Sequence, residues 1–87
     1  GNNDFYLSIE KKNKQEIAIY PNPSTGSINI EIKADCLNEM LRIYNVYGQL
    51  IHDESLNNLK TIIDLTSLNS GIYFISIKNK SHKLIID

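Results

Sequence analysis

The clearest pattern along the chain is an alternation of hydrophobic and polar residues with a period of two. In Ile28–Lys33, isoleucine fills every second position, with Asn, Glu or Lys at the others. Successive side chains of a strand point to opposite faces, so this pattern predicts one face in a core and one in water. The same period at Ile17–Tyr20 and Met40–Asn45 predicts further strands. Ile72–Ile77 is apolar on both faces, which predicts a central strand rather than an edge strand.

Turn-forming residues separate these segments. Pro21 and Pro23 cannot donate a backbone hydrogen bond, and Gly26 gives the chain freedom to turn back. After Asn45, Gly48 suits the positive φ of a turn. Further strands are predicted at Gln49–Glu54, Thr61–Leu65 and His82–Asp87, with a turn at Asn79–Ser81. Seven short strands joined by turns predict an all-β fold, a seven-stranded antiparallel β-sandwich of immunoglobulin-like type.

The first residues have the composition of a linker. Gly1–Asp4 is polar and Glu10–Glu16 is rich in charge, so neither buries apolar surface. We therefore expect a flexible N-terminal segment at 1–15 and one folded domain at 16–87. Phe5–Ile9 could add an edge strand, although no turn signal ties it to the domain. At 87 residues, the chain is near the lower limit for a self-sufficient core.

Composition argues against two classes of function. Nine Lys and Arg against ten Asp and Glu give a net charge of −1, without the positive excess that a nucleic-acid-binding face needs. No apolar run approaches the roughly 18 residues of a membrane helix. The single cysteine, Cys36, cannot form an internal disulfide and has no histidine beside it in the sequence, so we expect a structural role.

Candidate catalytic and metal-binding residues are sparse. Asp64 could act as a base or bind a cation, but the Ser- and Thr-rich loop after it favours a carboxylate that fixes the turn through hydrogen bonds. His52 and Glu54 can share one face of a strand, yet two ligands are too few for structural zinc. The oxygen-rich segment Asp35–Glu39 lacks the spacing of a calcium loop. We therefore expect no enzyme activity, no metal and no cofactor.

The tyrosines leave two other functions open. Tyr20, Tyr44, Tyr47 and Tyr73 fall in or beside predicted strands. On one exposed flat face they could stack on sugar rings, which would make the chain a carbohydrate-binding module of a secreted enzyme. Tyrosine is also common in strands for packing reasons alone, with its ring buried and its hydroxyl wet. A structural immunoglobulin-like spacer is the other alternative.

Three segments, taken in order, carry a family resemblance. They are Tyr20–Gly26 (YPNPSTG), Ile43–Gly48 (IYNVYG) and Asp64–Phe74 (DLTSLNSGIYF). Together they resemble the type A C-terminal sorting domain of proteins exported by the type IX secretion system of Bacteroidetes bacteria, over roughly residues 17–87. The residues that match the family pattern are Pro21, Asn22, Pro23, Gly26, Asn45, Gly48, Asp64, Leu65, Gly71, Ile72 and Tyr73.

The resemblance implies a sorting signal rather than a catalyst. Such a domain directs a larger parent protein from the periplasm across the outer membrane, to the cell surface or the extracellular space. Its partners would be the type IX machinery and a sortase-like peptidase. That peptidase would cut in the 1–15 segment and exchange the domain for a lipopolysaccharide anchor.

The last predicted strand is a candidate recognition element. Its candidate residues are Lys80, Lys83, Leu84, Ile85 and Ile86. An edge strand there could pair with a partner by strand addition. Family members often finish with a basic residue after this strand, whereas this chain has Asp87. That departure puts in doubt any recognition that depends on a positive charge at this position.

Overall fold

The computed structural model describes residues 17–87, so the predicted linker at 1–15 and the possible strand at Phe5–Ile9 lie outside the described residues. Residues 17–87 form seven strands and a short 3₁₀ turn at Ala34–Cys36. The strands are β1 Ile17–Tyr20, β2 Ser27–Ile32, β3 Met40–Tyr44, β4 Leu50–Ser55, β5 Lys60–Asp64, β6 Gly71–Ile77 and β7 Lys80–Ile86. Within this part of the chain, no helix is long and apolar enough to span a membrane.

The strands form two antiparallel sheets. One has three strands in the order β1-β2-β5, and the other has four in the order β4-β3-β6-β7. This arrangement confirms the predicted all-β sandwich of seven strands and its immunoglobulin-like architecture. As predicted, β6 is central, because it lies between β3 and β7. Its outward side chains Ile72 and Phe74 are nevertheless exposed.

The core lies between the two sheets and is built mainly from isoleucine and leucine. Every second residue of β2 points inward, and Ile28 and Ile30 are almost completely buried. β-Branched side chains suit this pleated surface. The buried apolar set is Ile17, Ile28, Ile30, Ile32, Cys36, Leu41, Ile43, Leu56, Ile63, Leu65, Tyr73, Ile75, Ile77, Leu84 and Ile86.

The hairpin between β6 and β7 is tighter than the sequence predicts. Ile77 pairs with Lys80, so the turn consists of Lys78 and Asn79, with φ of 47° and 66°. Positive φ at both central residues matches the twist of a two-residue hairpin, and Asn tolerates it well. The predicted turn at 79–81 is wrong, because residues 80 and 81 already belong to β7.

The connections between strands gather at two ends of the sandwich. One end, which we call the motif end, is formed by residues 20–27, 45–49 and 65–70 and by Asp87. The other, the base end, is formed by Ile17 and by residues 33–39, 56–59 and 78–79. The described chain therefore begins at the base end, at the far side of the sandwich from the motif end.

Candidate functional site at the motif end

All three segments of the family pattern lie at the motif end. Ser27 pairs with Asp64, which brings the first segment beside the third. Tyr44 pairs with Phe74, so the turn between β3 and β4 projects toward the same end. Segments far apart in the sequence are therefore assembled into one surface by the pairing of the strands.

The first segment carries the chain from one sheet to the other. β1 pairs with β2 as far as Tyr20, and Ser24 then forms a parallel bridge with Ile86 of β7. The peptide bonds before Pro21 and Pro23 are both cis. Because neither proline has a backbone donor, the ladder with β2 ends here. The chain is then free to reach the edge of the opposite sheet.

Asn22 binds the last strand through both ends of its side-chain amide. Its Nδ2 donates to the carbonyl oxygen of Lys83 at 2.8 Å, and its Oδ1 accepts from the backbone N–H of Ile85 at 3.0 Å. A primary amide offers a donor and an acceptor, as a peptide group does, so this side chain extends the sheet in place of a backbone. Aspartate would lack the donor at this position.

Ser24 continues the same contact with its backbone. Its N–H donates to the carbonyl of Ile85 at 2.8 Å, and its carbonyl accepts from the N–H of Asp87 at 2.8 Å. The side chain is buried, where Oγ donates to the Ser27 carbonyl at 2.8 Å and accepts from the Gly26 N–H at 3.1 Å. We call residues 22–24 the strap, because they occupy the edge of β7 from residue 83 to residue 87.

The strap changes how β7 could act in recognition. β7 is an edge strand of its sheet, as the sequence suggests. However, outward backbone groups of Lys83, Ile85 and Asp87 are already bonded to the strap. A partner strand would first have to displace the strap, which argues against strand addition along this stretch.

The candidate recognition residues of β7 divide between surface and core. Lys80 and Lys83 are exposed, and Ile85 is half-buried. Leu84 and Ile86 are buried between the sheets. Adjacent residues of a strand face opposite ways, so the two buried side chains serve the core and cannot contact a partner of the folded domain.

Gly26 lies where the first and third segments touch. The backbone N–H of Leu65 donates to the Gly26 carbonyl at 2.7 Å. A Cβ on Gly26 would lie only 2.8 Å from Cγ2 of Thr66, closer than real Cβ contacts. Close approach of the two loops therefore accounts for the glycine at this position of the motif.

Asp64 fixes the start of the loop between β5 and β6. Its Oδ1 accepts hydrogen bonds from the Thr66 hydroxyl at 2.7 Å and from the Thr66 backbone N–H at 2.9 Å. These two bonds hold the pKa of the Asp64 carboxyl below its ordinary value, because they stabilise the charged form. The geometry is the local turn that the sequence favours, with a structural rather than a catalytic carboxylate.

Three further motif residues complete this loop. Leu65 is buried in the core, and its carbonyl accepts from the Leu68 N–H at 2.9 Å. Tyr73 has a buried ring, and its hydroxyl donates to the Asn69 carbonyl at 2.7 Å. Gly71 has a φ of 153°, in a region that glycine adopts readily. The loop is therefore tied to the core at both of its ends.

Asn45 organises the turn between β3 and β4. Its Oδ1 accepts from the backbone N–H groups of Tyr47 at 2.9 Å and Gln49 at 3.0 Å, and its Nδ2 donates to Gln49 Oε1 at 2.7 Å. Gly48 has a φ of 81°, and its N–H donates to the Asn45 carbonyl at 3.0 Å. The turn is the one that the sequence predicts, with glycine at the positive-φ position.

The tyrosines do not share one face. The ring of Tyr73 is in the core, and the hydroxyl of Tyr20 donates to Glu31 on the outer side of the three-stranded sheet. Tyr44 is half-buried in the other sheet, and Tyr47 is 85% exposed in the turn that follows it. Side chains spread in this way offer no common platform for a sugar chain, which argues against the carbohydrate-binding alternative.

The remaining reactive side chains form no catalytic or metal-binding arrangement within residues 17–87. In that part of the chain, no three His, Cys, Asp or Glu side chains are grouped to hold a metal ion. His52 Nε2 lies 2.8 Å from Glu54 Oε1 on edge strand β4, as the shared face predicts. Cys36 is buried, and Asp35 Oδ2 lies 3.6 Å from the Lys78 ammonium.

His82 lines a groove between β1 and β7. Ile17, Ile19 and Ser81 also border this groove. Burial, and then the positive charge of Lys80, hold the pKa of the His82 imidazole below its ordinary value. Its Nε2 is buried and has no hydrogen-bond partner in the described part of the chain. The fold therefore favours the neutral form of this side chain.

Comparison with known proteins places the chain in a family. A family model described as secretion system C-terminal sorting domain matches residues 18–87. The chain is 27% identical over 79 residues to ulvan lyase NLR42 of Nonlabens ulvanivorans, covering 90% of this chain and 15% of that protein. It is 29% identical over 77 residues to funoran endo-beta-hydrolase of Wenyingzhuangia aestuarii, covering 87% of this chain and 10% of that protein. It is 28% identical over 80 residues to beta-agarase A of Zobellia galactanivorans, covering 92% of this chain and 15% of that protein.

These matches cover most of this chain but only a small part of each relative. The chain spans only 10–15% of the length of these three proteins, whose names denote different activities. The family match begins within β1 and includes all of β2 to β7. The chain therefore belongs to the family of secretion system C-terminal sorting domains, the sorting signals of type IX secretion.

Proposed function

We propose that this domain directs a larger parent protein through the type IX secretion system, by way of the periplasm, to the cell surface or the extracellular space. The observation that carries this proposal is the family match over residues 18–87, which coincides with the folded unit. Relatives with different activities have in common with this chain only a small share of their length. Such sharing supports a transferable signal that is independent of what the parent does.

The contacts of the strap support recognition of the folded domain rather than of an unfolded sequence. Asn22 and Ile85 are 63 positions apart in the sequence, yet their hydrogen bond holds the first motif against the last strand. An unfolded chain would not hold the motif segments together in this way. In this proposal the domain therefore folds before the secretion machinery binds it.

The partners in this proposal are the secretion machinery and a sortase-like peptidase. The peptidase cuts within residues 1–15 and replaces the domain with a lipopolysaccharide anchor. Ile17 is buried in β1, so a cut that spares the fold must lie before it. Lys80, Lys83 and Ile85 are the members of the predicted recognition set that a partner can reach.

A secretion assay tests the proposal. Residues 1–87 are fused behind a signal peptide and a fluorescent reporter, and expressed in a Bacteroidetes host with and without a working type IX system. We expect reporter outside the cell, or on its surface, only in the competent strain. Mass spectrometry of the exported reporter then locates the cut. Equal retention in both strains would contradict the proposed function.

A further inference from the structure

Charge is distributed unevenly between the two ends of the sandwich. The three connections of the motif end, residues 20–27, 45–49 and 65–70, contain no Lys, Arg, Asp or Glu. The connections of the base end, by contrast, carry Lys33, Asp35, Glu39 and Lys78. An exposed protein surface normally carries both signs of charge, so a set of three neutral connections at one end is a distinguishing feature.

Two carboxylates border this neutral end. Asp64 is turned back onto Thr66, which binds Oδ1 through both its hydroxyl and its N–H. The Asp64 carboxylate is therefore already hydrogen-bonded within its own loop. Asp87 follows the end of β7, where its backbone N–H is bonded to the strap.

The same end exposes apolar side chains. Tyr47 is 85% exposed, Val46 58% and Ile72 41%. The uncharged surface ends where the outer face of the four-stranded sheet begins, because exposed Lys83 pairs with Phe74 there and exposed Arg42 lies two residues before Tyr44. Asn45 fixes the turn that holds Val46 and Tyr47 with three side-chain hydrogen bonds, so these side chains are presented by an ordered loop.

We infer that the three neutral connections of the motif end, with Val46 and Tyr47 at their most exposed point, are the surface by which the domain docks on the secretion machinery. The partner that this surface fits is an uncharged, apolar patch of a protein of that machinery. The inference rests on the proposed function and goes beyond it by assigning the docking face and its chemistry. The centres of protein interfaces are depleted in charge and enriched in aromatic side chains, and these connections carry no charged residue and expose Tyr47.

A lipid or polysaccharide partner fits the surface less well. Contact with anionic headgroups needs Lys or Arg near the bound surface, and the three neutral connections supply none. Sugar recognition needs several exposed rings on one face, and among the tyrosines of residues 17–87 only Tyr47 is more than half exposed. A protein with a neutral apolar patch needs neither of these, because burial of apolar surface and hydrogen bonds to the loops supply the contact.

Charge placed at the centre of this face tests the inference. Tyr47→Glu and Tyr47→Lys are made in the reporter fusion of residues 1–87 and compared with Leu59→Glu and Leu59→Lys. Leu59 is a matched control, since it is 53% exposed in an equally uncharged connection at the base end. We expect both Tyr47 variants to lower secretion about tenfold or more, because either sign of charge would be desolvated on docking. Both Leu59 variants should stay within about twofold of the parent domain.

The outcomes separate the docking face from the proposed function. If the unmodified fusion is not secreted by the competent strain, the proposed function fails and the docking face fails with it. If the unmodified fusion is secreted but the Tyr47 variants match it, only the docking face is refuted. If only one of the two Tyr47 variants loses secretion, or if the Leu59 variants lose as much secretion as the Tyr47 variants, a neutral apolar contact is also refuted. Thermal melting of each purified variant checks its folding, and Val46→Glu repeats the test if the Tyr47 variants do not fold.

Photo-crosslinking identifies the class of partner. A benzophenone amino acid replaces Tyr47 in the reporter fusion, and a second fusion carries it at Leu59. An adduct with a protein of the type IX machinery, formed from position 47 but not from position 59, would support the inference. Adducts only with lipopolysaccharide, or only with a second copy of the fusion, would overturn it.

Discussion

Replacing Asn22 with alanine removes both side-chain hydrogen bonds to β7 and so tests the strap directly. The bonds, to the Lys83 carbonyl at 2.8 Å and from the Ile85 N–H at 3.0 Å, are partly exposed to water. Each such bond contributes about 0.5–1.5 kcal/mol net, and exposure favours the lower half of that range, so we expect a loss of about 1–2 kcal/mol. For a domain of this size that corresponds to a fall in Tm of about 4–16 °C.

Circular dichroism during thermal and urea unfolding measures this change in the free energy of unfolding. Asn58→Ala is the matched control, because Asn58 is exposed at the base end, away from the strap. Asn22→Asp keeps the acceptor for Ile85 but sets a carboxylate oxygen against the Lys83 carbonyl, so it should be at least as destabilising as alanine. If Asn22→Ala unfolds like Asn58→Ala, or if Asn22→Asp is as stable as the parent domain, the assigned role of the side chain is wrong.

Three further changes test other contacts. Gly26→Ala should destabilise the fold by about 1–3 kcal/mol through overpacking against Thr66, and Thr66→Ser, which lacks the methyl group, should restore part of that loss in a double-mutant cycle. Leu84→Ala removes a fully buried side chain and should cost about 2–5 kcal/mol in urea unfolding, so a loss below about 1 kcal/mol would contradict its place in the core. The pKa of His82 is lowered in the fold from 6.5; since the unfolded chain then binds the proton more readily, the contribution of His82 to stability should be full above about pH 6.5 and fall at lower pH. Urea midpoints between about pH 5 and 7.5 should therefore depend less on pH in His82→Gln than in the parent, and an unchanged dependence would rule the effect out.

The strands could be predicted from the sequence because their signals are local. The alternation in Ile28–Lys33 places the isoleucines of β2 in the core as expected, and the apolar run at Ile72–Ile77 is a central strand. The turn at Asn45–Gly48 was predictable because its residues bond to one another. The exact turn between β6 and β7 could not be predicted, because the register of the two strands, rather than composition, decides which two residues form the turn.

The candidate site could be predicted only in part. Its motif residues were found through their family pattern. The structural role of Asn22, however, is a contact with β7 more than 60 positions away, and local sequence does not reveal such a contact. The backbone contacts of Ser24 with β7 were not predicted, although a small polar residue beside Gly26 was a weak signal. Tyr47 was considered for sugar binding or for packing beside a strand, and its strong exposure was not predicted because it depends on which way the finished turn projects.

The strap has a mechanical consequence. β1 runs from the base end to the motif end, and residues 22–24 then lie parallel to the edge of β7. A pull on the chain before Ile17 draws the strap lengthwise along β7, so the bonds of Asn22 and Ser24 are strained together in shear instead of opening one at a time. A domain connected in this way can resist tension applied to the chain before Ile17 while its motif end is held.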